Sequence, residues 1–127
     1  MSSASPIVFI VDDDVSVRES LELLIESAGW QSQAFASAQE FLAHRPVQAG
    51  PSCLVLDVNL PDSTGLQLRE RLALDGIDLP VIFISGYDAG DATAGAMNAG
   101  TVAFLTKPLD ADALLRAIEH AIKGSRA

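Results

Sequence analysis

With 127 residues and a formal net charge of −9, the chain is long enough for one domain, predicted over 1–127 with its core at about 7–122. Its eight lysines and arginines are scattered among 17 acidic residues, so direct binding of nucleic acid is not expected. No apolar run approaches the roughly 18 residues that cross a bilayer, and no basic secretory start is present. The single cysteine, Cys53, excludes an internal disulfide, and we expect a cytoplasmic protein with a buried thiol.

Five short apolar strands alternate with five helices along the chain. Strands are predicted over 7–11, 31–35 (the weakest), 52–56, 80–84 and 101–105, and helices over about 15–28, 37–44, 64–74, 89–98 and 110–122. Gly29 is a natural stop for the first helix, and Ser37 with Glu40 forms a capping box for the second. The third helix carries the apolar residues Leu66, Leu68, Leu72 and Leu74. This alternation predicts an α/β fold with a parallel sheet covered on both faces.

Four of the predicted strands end at polar, reactive residues. The first runs into Asp12 and Asp13, the third into Asp57, the fourth into Ser85, and the fifth is followed by Lys107. Because the carboxyl ends of parallel strands lie at one edge of the sheet, these side chains are expected to meet where α/β folds place their sites.

The three carboxylates of Asp12, Asp13 and Asp57 predict a metal site. Two such charges about 4 Å apart repel by roughly 4 kcal/mol at an effective dielectric near 20, so a proton or a cation must neutralise them. Hard oxygen ligands suit Mg²⁺, and Asn59 can add its backbone carbonyl. Asp14 is interpreted as the N-cap of the first helix, and whether Asp12 or Asp14 assists Asp13 stays open.

The same edge of the sheet is also expected to bind a phosphoryl group. Lys107 can hold an anion beside the metal, and Ser85 supplies a hydroxyl donor. Asp57 would then be the nucleophile.

Together these residues resemble the receiver domain of two-component response regulators, over about 7–122, and most of all its FixJ-type branch. The matching pieces, in chain order, are Asp12-Asp13, the stretch 37–42, Asp57, Pro61, Gly65, Ser85-Gly86, the stretch 96–100, Phe104 and Lys107-Pro108. The resemblance implies a (βα)5 doubly wound, flavodoxin-like sheet of five parallel strands in the order 2-1-3-4-5.

The resemblance also implies the activity. Asp57 would accept a phosphoryl group from a sensor histidine kinase, with Lys107 paired to the phosphoryl oxygens. Ser85 and Phe104 would be the switch pair, and the bond between Lys107 and Pro108 would be a cis peptide. Such a protein is a signalling phosphoacceptor with weak self-phosphotransfer and slow autodephosphorylation, rather than an enzyme.

The implied cofactor is Mg²⁺, for which Mn²⁺ can substitute. Asp13 would ligate it directly, Asp12 chiefly through water, and Asn59 through its backbone carbonyl, and Asp57 belongs to the same metal site.

The implied output is control of transcription through a DNA-binding domain, which this sequence does not contain. A homodimer of the phosphorylated form would use helix 89–98 and strand 101–105.

Two alternative functions stay open: a phosphorelay intermediate or scaffold, and a Mg²⁺-dependent aspartyl phosphohydrolase. A phosphohydrolase of this kind requires an aspartate two residues after the nucleophile, and Asn59 at that position argues against it. A flavin-binding module of similar topology requires a Ser/Thr/Gly-rich phosphate loop after the first strand, where this chain has three aspartates that would repel phosphate.

Overall fold

The structure, a computed structural model, describes residues 6–44, 52–58, 60, 64–76, 79–86, 101–107 and 109–124. Three of the sequence predictions lie outside these residues: the helix over 89–98, the backbone carbonyl of Asn59, and the cis peptide bond at Pro108. The strands and helices below are numbered in chain order within the described part.

The bounds of these elements agree with the sequence prediction to within two residues. The strands are β1 (Ile7–Val11), β2 (Gln31–Phe35), β3 (Ser52–Asp57), β4 (Val81–Ser85) and β5 (Thr101–Thr106), and the helices are α1 (Val15–Ser27), α2 (Ala38–His44), α3 (Gly65–Leu74) and α4 (Ala111–Gly124). β3, β4 and β5 each run one residue further than predicted. Asp57 and Ser85 are therefore the last residues of their strands, held by the sheet rather than by a loop.

Local signals explain where α1 ends and α2 begins. After α1, Gly29 has a φ of 94°, a conformation that glycine adopts without the steric cost of a Cβ. At the start of α2, the Ser37 hydroxyl accepts a hydrogen bond from the Glu40 N–H (3.1 Å), and the Glu40 carboxylate accepts one from the Ala36 N–H (3.1 Å). The predicted capping pair is confirmed, although the glutamate reaches one residue further back than in the usual motif.

The five strands form one parallel sheet in the order β2-β1-β3-β4-β5. This order confirms the doubly wound, flavodoxin-like fold that the sequence predicts. The chain runs outward from β1 to the β2 edge, then returns across β1 to β3, β4 and β5. The reversal leaves the carboxyl ends of β1 and β3 side by side at the point where such folds bind ligands.

Alternate residues of the strands build two cores, one on each face of the sheet. In β1, Phe9 and Val11 face the core that α2 and α3 cover, while Val8 and Ile10 face the core that α1 and α4 cover. β3 is buried along its whole length, as expected for a central strand with helices on both sides. Its Cys53 thiol is buried, and that burial raises its pKa to about 12, so it behaves as a packed apolar group.

Only one side of α3 packs on the sheet. Leu68 and Leu72, four residues apart, are buried, whereas Leu74 is 84% exposed. Two further residues turn a helix by roughly 200°, so Leu74 points to solvent although the sequence pattern groups it with the other leucines. Among the helices that the structure describes, none is long and apolar enough to cross a membrane.

Candidate functional site

Four neighbouring strands bring their carboxyl ends to one edge of the sheet. Asp12 directly follows β1, and Asp57 ends the adjacent β3. Ser85 ends β4 and pairs with Thr106 of β5, the residue before Lys107. The Lys107 N–H also donates to the Ser85 carbonyl (2.7 Å), which ties the ends of β4 and β5 together. Residues far apart in the sequence thus meet here because of strand order.

Three carboxylates gather at this edge, as predicted. Asp12 is fully buried, Asp57 is 5% exposed, and Asp13 is exposed. One oxygen from each lies within 4.8 Å of the others. Negative charges this close, two of them removed from water, need a positive partner or a proton.

Lys107 is the cationic partner that the described residues provide. Its Nζ lies 3.1 Å from Asp12 Oδ2 and 3.3 Å from Asp57 Oδ2, so a single ammonium bridges the two buried carboxylates. Burial lowers the pKa of Lys107, but the carboxylates of Asp12 and Asp57 raise it more, and the pKa lies above its ordinary value. Lys107 therefore stays charged at neutral pH.

The donor set fits a hard cation. Asp12 Oδ2 is buried, and Lys107 Nζ contacts it at 3.1 Å as an ion pair without the alignment of a hydrogen bond. Because that ammonium is shared with Asp57, the two buried carboxylates keep a net negative charge that a metal ion can offset. Because one carboxylate oxygen from each of Asp12, Asp13 and Asp57 lies within 4.8 Å of the others, this cluster can hold a metal ion of the Mg²⁺ type.

The turn between β1 and α1 fixes the side chains of Asp12 and Asp14. Asp12 Oδ1 accepts the Asp14 N–H (2.9 Å), and the Asp14 side chain accepts the Ser16 N–H (2.9 Å) as the N-cap of α1. The interpretation of Asp14 as a cap is therefore confirmed. Arg18, on the next turn of α1, donates from Nη1 to the main-chain carbonyl of Asp12 (2.8 Å). The sequence does not single out Arg18, because one basic residue six positions beyond Asp12 forms no recognisable pattern.

The end of β3 is packed against the start of α3. The Gly65 N–H donates to the Val58 carbonyl (2.7 Å), and a Cβ placed on Gly65 would lie 2.5 Å from the Asp57 carbonyl oxygen. Only glycine allows this approach. The Thr64 hydroxyl accepts the Gln67 N–H (3.1 Å), and the Gln67 side chain accepts the Thr64 N–H (3.0 Å), a capping box that starts α3 at this point.

The structure places Ser85 and Phe104, the predicted switch pair, on adjacent strands. Ser85 is buried, and its hydroxyl donates to the carbonyl of the next residue, Gly86 (2.8 Å). Phe104 is half-buried, with its ring centroid 6.2 Å from that of Phe83. Their switching role stays a prediction.

Comparison with known proteins gives a consistent result. The sequence profile of the response regulator receiver domain matches residues 8–119. Nodulation protein W of Bradyrhizobium diazoefficiens is 42% identical over 125 residues, covering 98% of this chain and 55% of that protein. The transcriptional regulatory protein FixJ of the same organism is 34% identical over 116 residues, covering 91% of this chain and 56% of that protein.

Solved structures give the same picture. The crystal structure of FixJ-N superposes with a TM-score of 0.87 at 34% identity, and the match covers 98% of each chain. This chain spans about half the length of the curated relatives it matches.

Proposed function

Since this chain belongs to the response regulator receiver domain family, in its FixJ-type branch, we propose that Asp57 accepts a phosphoryl group from a phosphohistidine of a sensor kinase. The observation that carries the proposal is the environment of Asp57. Its buried carboxylate has Lys107 Nζ at 3.3 Å and two further carboxylates within 4.8 Å. A nucleophilic oxygen, a fixed cation and a cluster of metal ligands are the components of phosphoryl transfer.

In the proposed transfer, an oxygen of Asp57 attacks phosphorus. The P–O bond forms while the P–N bond breaks, and the histidine leaves with the bonding pair and takes up a proton. The Lys107 ammonium is then placed to bind the phosphoryl oxygens, as a point charge that needs no further proton transfer. Water later attacks the same phosphorus, returning the Asp57 carboxylate and inorganic phosphate in a slow autodephosphorylation.

Asp12, Asp13 and Asp57 would hold Mg²⁺ in this site, with the carbonyl of Asn59 as a further ligand, and Mn²⁺ is expected to substitute. When bound there, the ion would supply positive charge to offset the crowded carboxylates and to polarise the phosphoryl oxygens. The side chain of Asp13, exposed at the mouth of the site, leaves this position accessible from solvent.

A signalling role is favoured over phosphohydrolase catalysis. An aspartyl phosphohydrolase requires an aspartate two residues after its nucleophile, and in this chain Asn59 occupies that position. With a net charge of −9, this domain is not itself suited to DNA. We infer that phosphorylation controls transcription through a DNA-binding segment or partner, by way of Ser85 and Phe104, with a relay intermediate as the alternative output.

Phosphorylation would also change the association of this chain. The proposed contact is a homodimer through helix 89–98 and strand 101–105, of which the structure describes the strand. A cytoplasmic location, shared with the kinase domain that supplies the phosphoryl group, is part of the proposal.

Incubation with a small acyl-phosphate donor and Mg²⁺, followed by intact mass measurement, tests the proposal. Wild-type protein should gain one phosphoryl mass, and Asp57→Asn should gain none while keeping its fold. The matched control is Asp75→Asn, the same change at the end of α3, where the ion pair of the carboxylate within the described residues is with the exposed Arg71 (3.3 Å). Labelling of Asp57→Asn at the wild-type level would move the acceptor elsewhere.

A further inference from the structure

We propose that Arg18 is a positioning residue for the cation site, acting through the main chain of Asp12 to aim the carboxylate of Asp13. The inference rests on the proposed function, because it concerns the ion that Asp12, Asp13 and Asp57 would hold. Arg18 touches none of the reacting atoms. Its effect on the site passes through one peptide group.

The contact itself is specific. Arg18 Nη1 lies 2.8 Å from the carbonyl oxygen of Asp12, six residues earlier in the chain, in a partly buried position. The backbone of Arg18 is fixed at the same time, since its N–H donates to the Asp14 carbonyl (3.0 Å) in the first turn of α1. A guanidinium on a rigid helix therefore reaches back to the residue that follows β1. A bond from a charged donor is worth more than a neutral one.

This bond completes the restraint of Asp12. The Asp12 N–H donates to the Phe35 carbonyl of β2 (3.1 Å), and its Oδ1 accepts the Asp14 N–H (2.9 Å). The main-chain carbonyl of Asp12 takes part in neither of these two bonds. Without Arg18, it would lose the donor that now holds it. The Asp12–Asp13 peptide plane would then be restrained less, by the flanking bonds alone.

Asp13 depends on that plane more than its neighbours do. Its side chain is exposed, and no donor in the described part of the chain contacts its carboxylate. The carbonyl of Asp12 and the nitrogen of Asp13 belong to one planar group. Fixing the Asp12 oxygen therefore fixes the nitrogen and Cα of Asp13, which narrows the directions that its side chain can take.

Charge and position predict opposite effects at this residue. The positive charge of Arg18, one turn from a cation site, opposes the binding of Mg²⁺ by Coulomb repulsion. If charge were its only influence, removing it would tighten Mg²⁺ binding. If Arg18 positions Asp13, removing it weakens binding despite the lost repulsion.

The test is Mg²⁺ affinity measured by calorimetry at fixed ionic strength, with no phosphoryl donor present. We expect Arg18→Met to weaken Mg²⁺ binding about 10-fold, the lower range for loss of a group that orients a metal ligand. Arg18→Lys, which keeps the charge and an N–H donor, should recover part of the loss. The matched control is Arg71→Met, which removes the same charge from an exposed position on α3, where the described part of the chain shows an ion pair with Asp75.

A double-mutant cycle separates positioning from a general structural effect. In an Asp13→Asn background, Arg18→Met should have no further effect on Mg²⁺ affinity, because the proposed path ends at Asp13. Metal-free unfolding of each variant shows whether all are folded at the assay temperature. A purely structural role would lower stability equally in both backgrounds and leave Mg²⁺ affinity unchanged.

The failures are distinguishable. If wild-type protein bound no Mg²⁺, the proposed function would fall and this inference with it. If wild-type protein bound Mg²⁺ and folded Arg18→Met bound it as tightly or more tightly, the inference alone would be overturned. An equal loss with and without the Asp13 carboxylate would also overturn it.

Discussion

Lys107 offsets part of the negative charge of the site while no metal is bound. Its ammonium lies within 3.3 Å of both Asp12 and Asp57, two carboxylates that have almost no contact with water. Removing one partner of a buried ion group leaves uncompensated charge, which costs more than the pair itself contributes.

We predict that Lys107→Met lowers the metal-free free energy of unfolding by about 2 kcal/mol, below the full cost of breaking a buried pair because the lysine side chain is 26% exposed. Saturating Mg²⁺ should recover much of the loss, since it binds the folded state and supplies the missing charge. Denaturant unfolding with and without Mg²⁺ measures both quantities.

The matched control is Lys123→Met on α4. Lys123 Nζ lies 3.5 Å from Glu119 Oε2, but both side chains are mostly exposed. Exposed pairs contribute roughly 0–1 kcal/mol, so this variant should unfold nearly like wild type and respond no differently to Mg²⁺. Equal destabilisation by the two lysine substitutions would refute the counter-charge role of Lys107.

At the residue scale, the sequence predicts the acidic part of the site well and its supports poorly. Asp12, Asp57 and Lys107 could be placed together because each follows an apolar run, and parallel strands end at one edge. Arg18 could not, because its bond goes to a main-chain carbonyl and leaves no residue-type pattern. The bond from the Ser85 hydroxyl to the Gly86 carbonyl likewise depends on the side-chain rotamer and the local backbone geometry. The pattern of residue types does not reveal either of them.

The junction between β3 and α3 depends on a missing side chain. Gly65 starts α3 at a point where a Cβ would lie 2.5 Å from the Asp57 carbonyl oxygen and 3.1 Å from the Val58 Cα. Both obstacles are backbone atoms, so relief requires the helix or the strand end to move. The strand end is the segment that carries the proposed phosphoacceptor.

We predict that Gly65→Ala lowers the free energy of unfolding by about 1–2 kcal/mol: overpacking costs about 1–3 kcal/mol, and the better helix propensity of alanine returns up to ~1 kcal/mol. Phosphorylation of Asp57 should also slow, because its backbone is displaced. Thermal unfolding and the rate of phosphoryl mass gain give the two measurements.

Gly86→Ala is the control for that substitution. A Cβ on Gly86 meets nothing within 4 Å, so alanine there should be neutral or stabilise by a few tenths of a kcal/mol through the unfolded chain. If Gly65→Ala were as stable and as readily phosphorylated as Gly86→Ala, close packing at this junction would not matter to the site.

At the element scale, the fold could be predicted almost completely, because strand and helix periodicities differ and turn residues separate them. The weakest prediction, strand 31–35, is confirmed as the edge strand β2, where partial exposure explains its polar composition. What periodicity could not supply is the direction of each side chain. Leu74 belongs to a leucine-rich helix, yet it is exposed, because only the sheet beneath α3 decides which side of the helix is buried.

At the scale of the whole molecule, Trp30 lies far from the carboxylate site. Trp30 precedes β2, whose first residue pairs with Ile7 at the start of β1, whereas Asp12 follows the end of β1. Five residues of strand span roughly 16 Å, so the indole lies near the amino-terminal ends of the strands and the carboxylates lie at their carboxyl ends. It packs against the core under α1 and α4, which does not include the site.

We predict that saturating Mg²⁺ leaves Trp30 emission nearly unchanged, because the ion binds at the far edge and the core between them is rigid. Calorimetry on the same sample confirms that the ion is bound. A large Mg²⁺-dependent change in emission at constant oligomeric state would mean that metal binding rearranges the core or that the site lies elsewhere.

The identity of the phosphorylated residue tests the central claim most directly. Borohydride reduces the acyl carbon of an aspartyl phosphate and converts that residue into homoserine, which peptide mass spectrometry can locate. After incubation with Mg²⁺ and a small acyl-phosphate donor, we expect homoserine at Asp57 and none when Mg²⁺ is withheld. Homoserine at Asp12 or Asp13 instead, or a phosphoryl mass gain with Asp57 unconverted, would contradict the assignment.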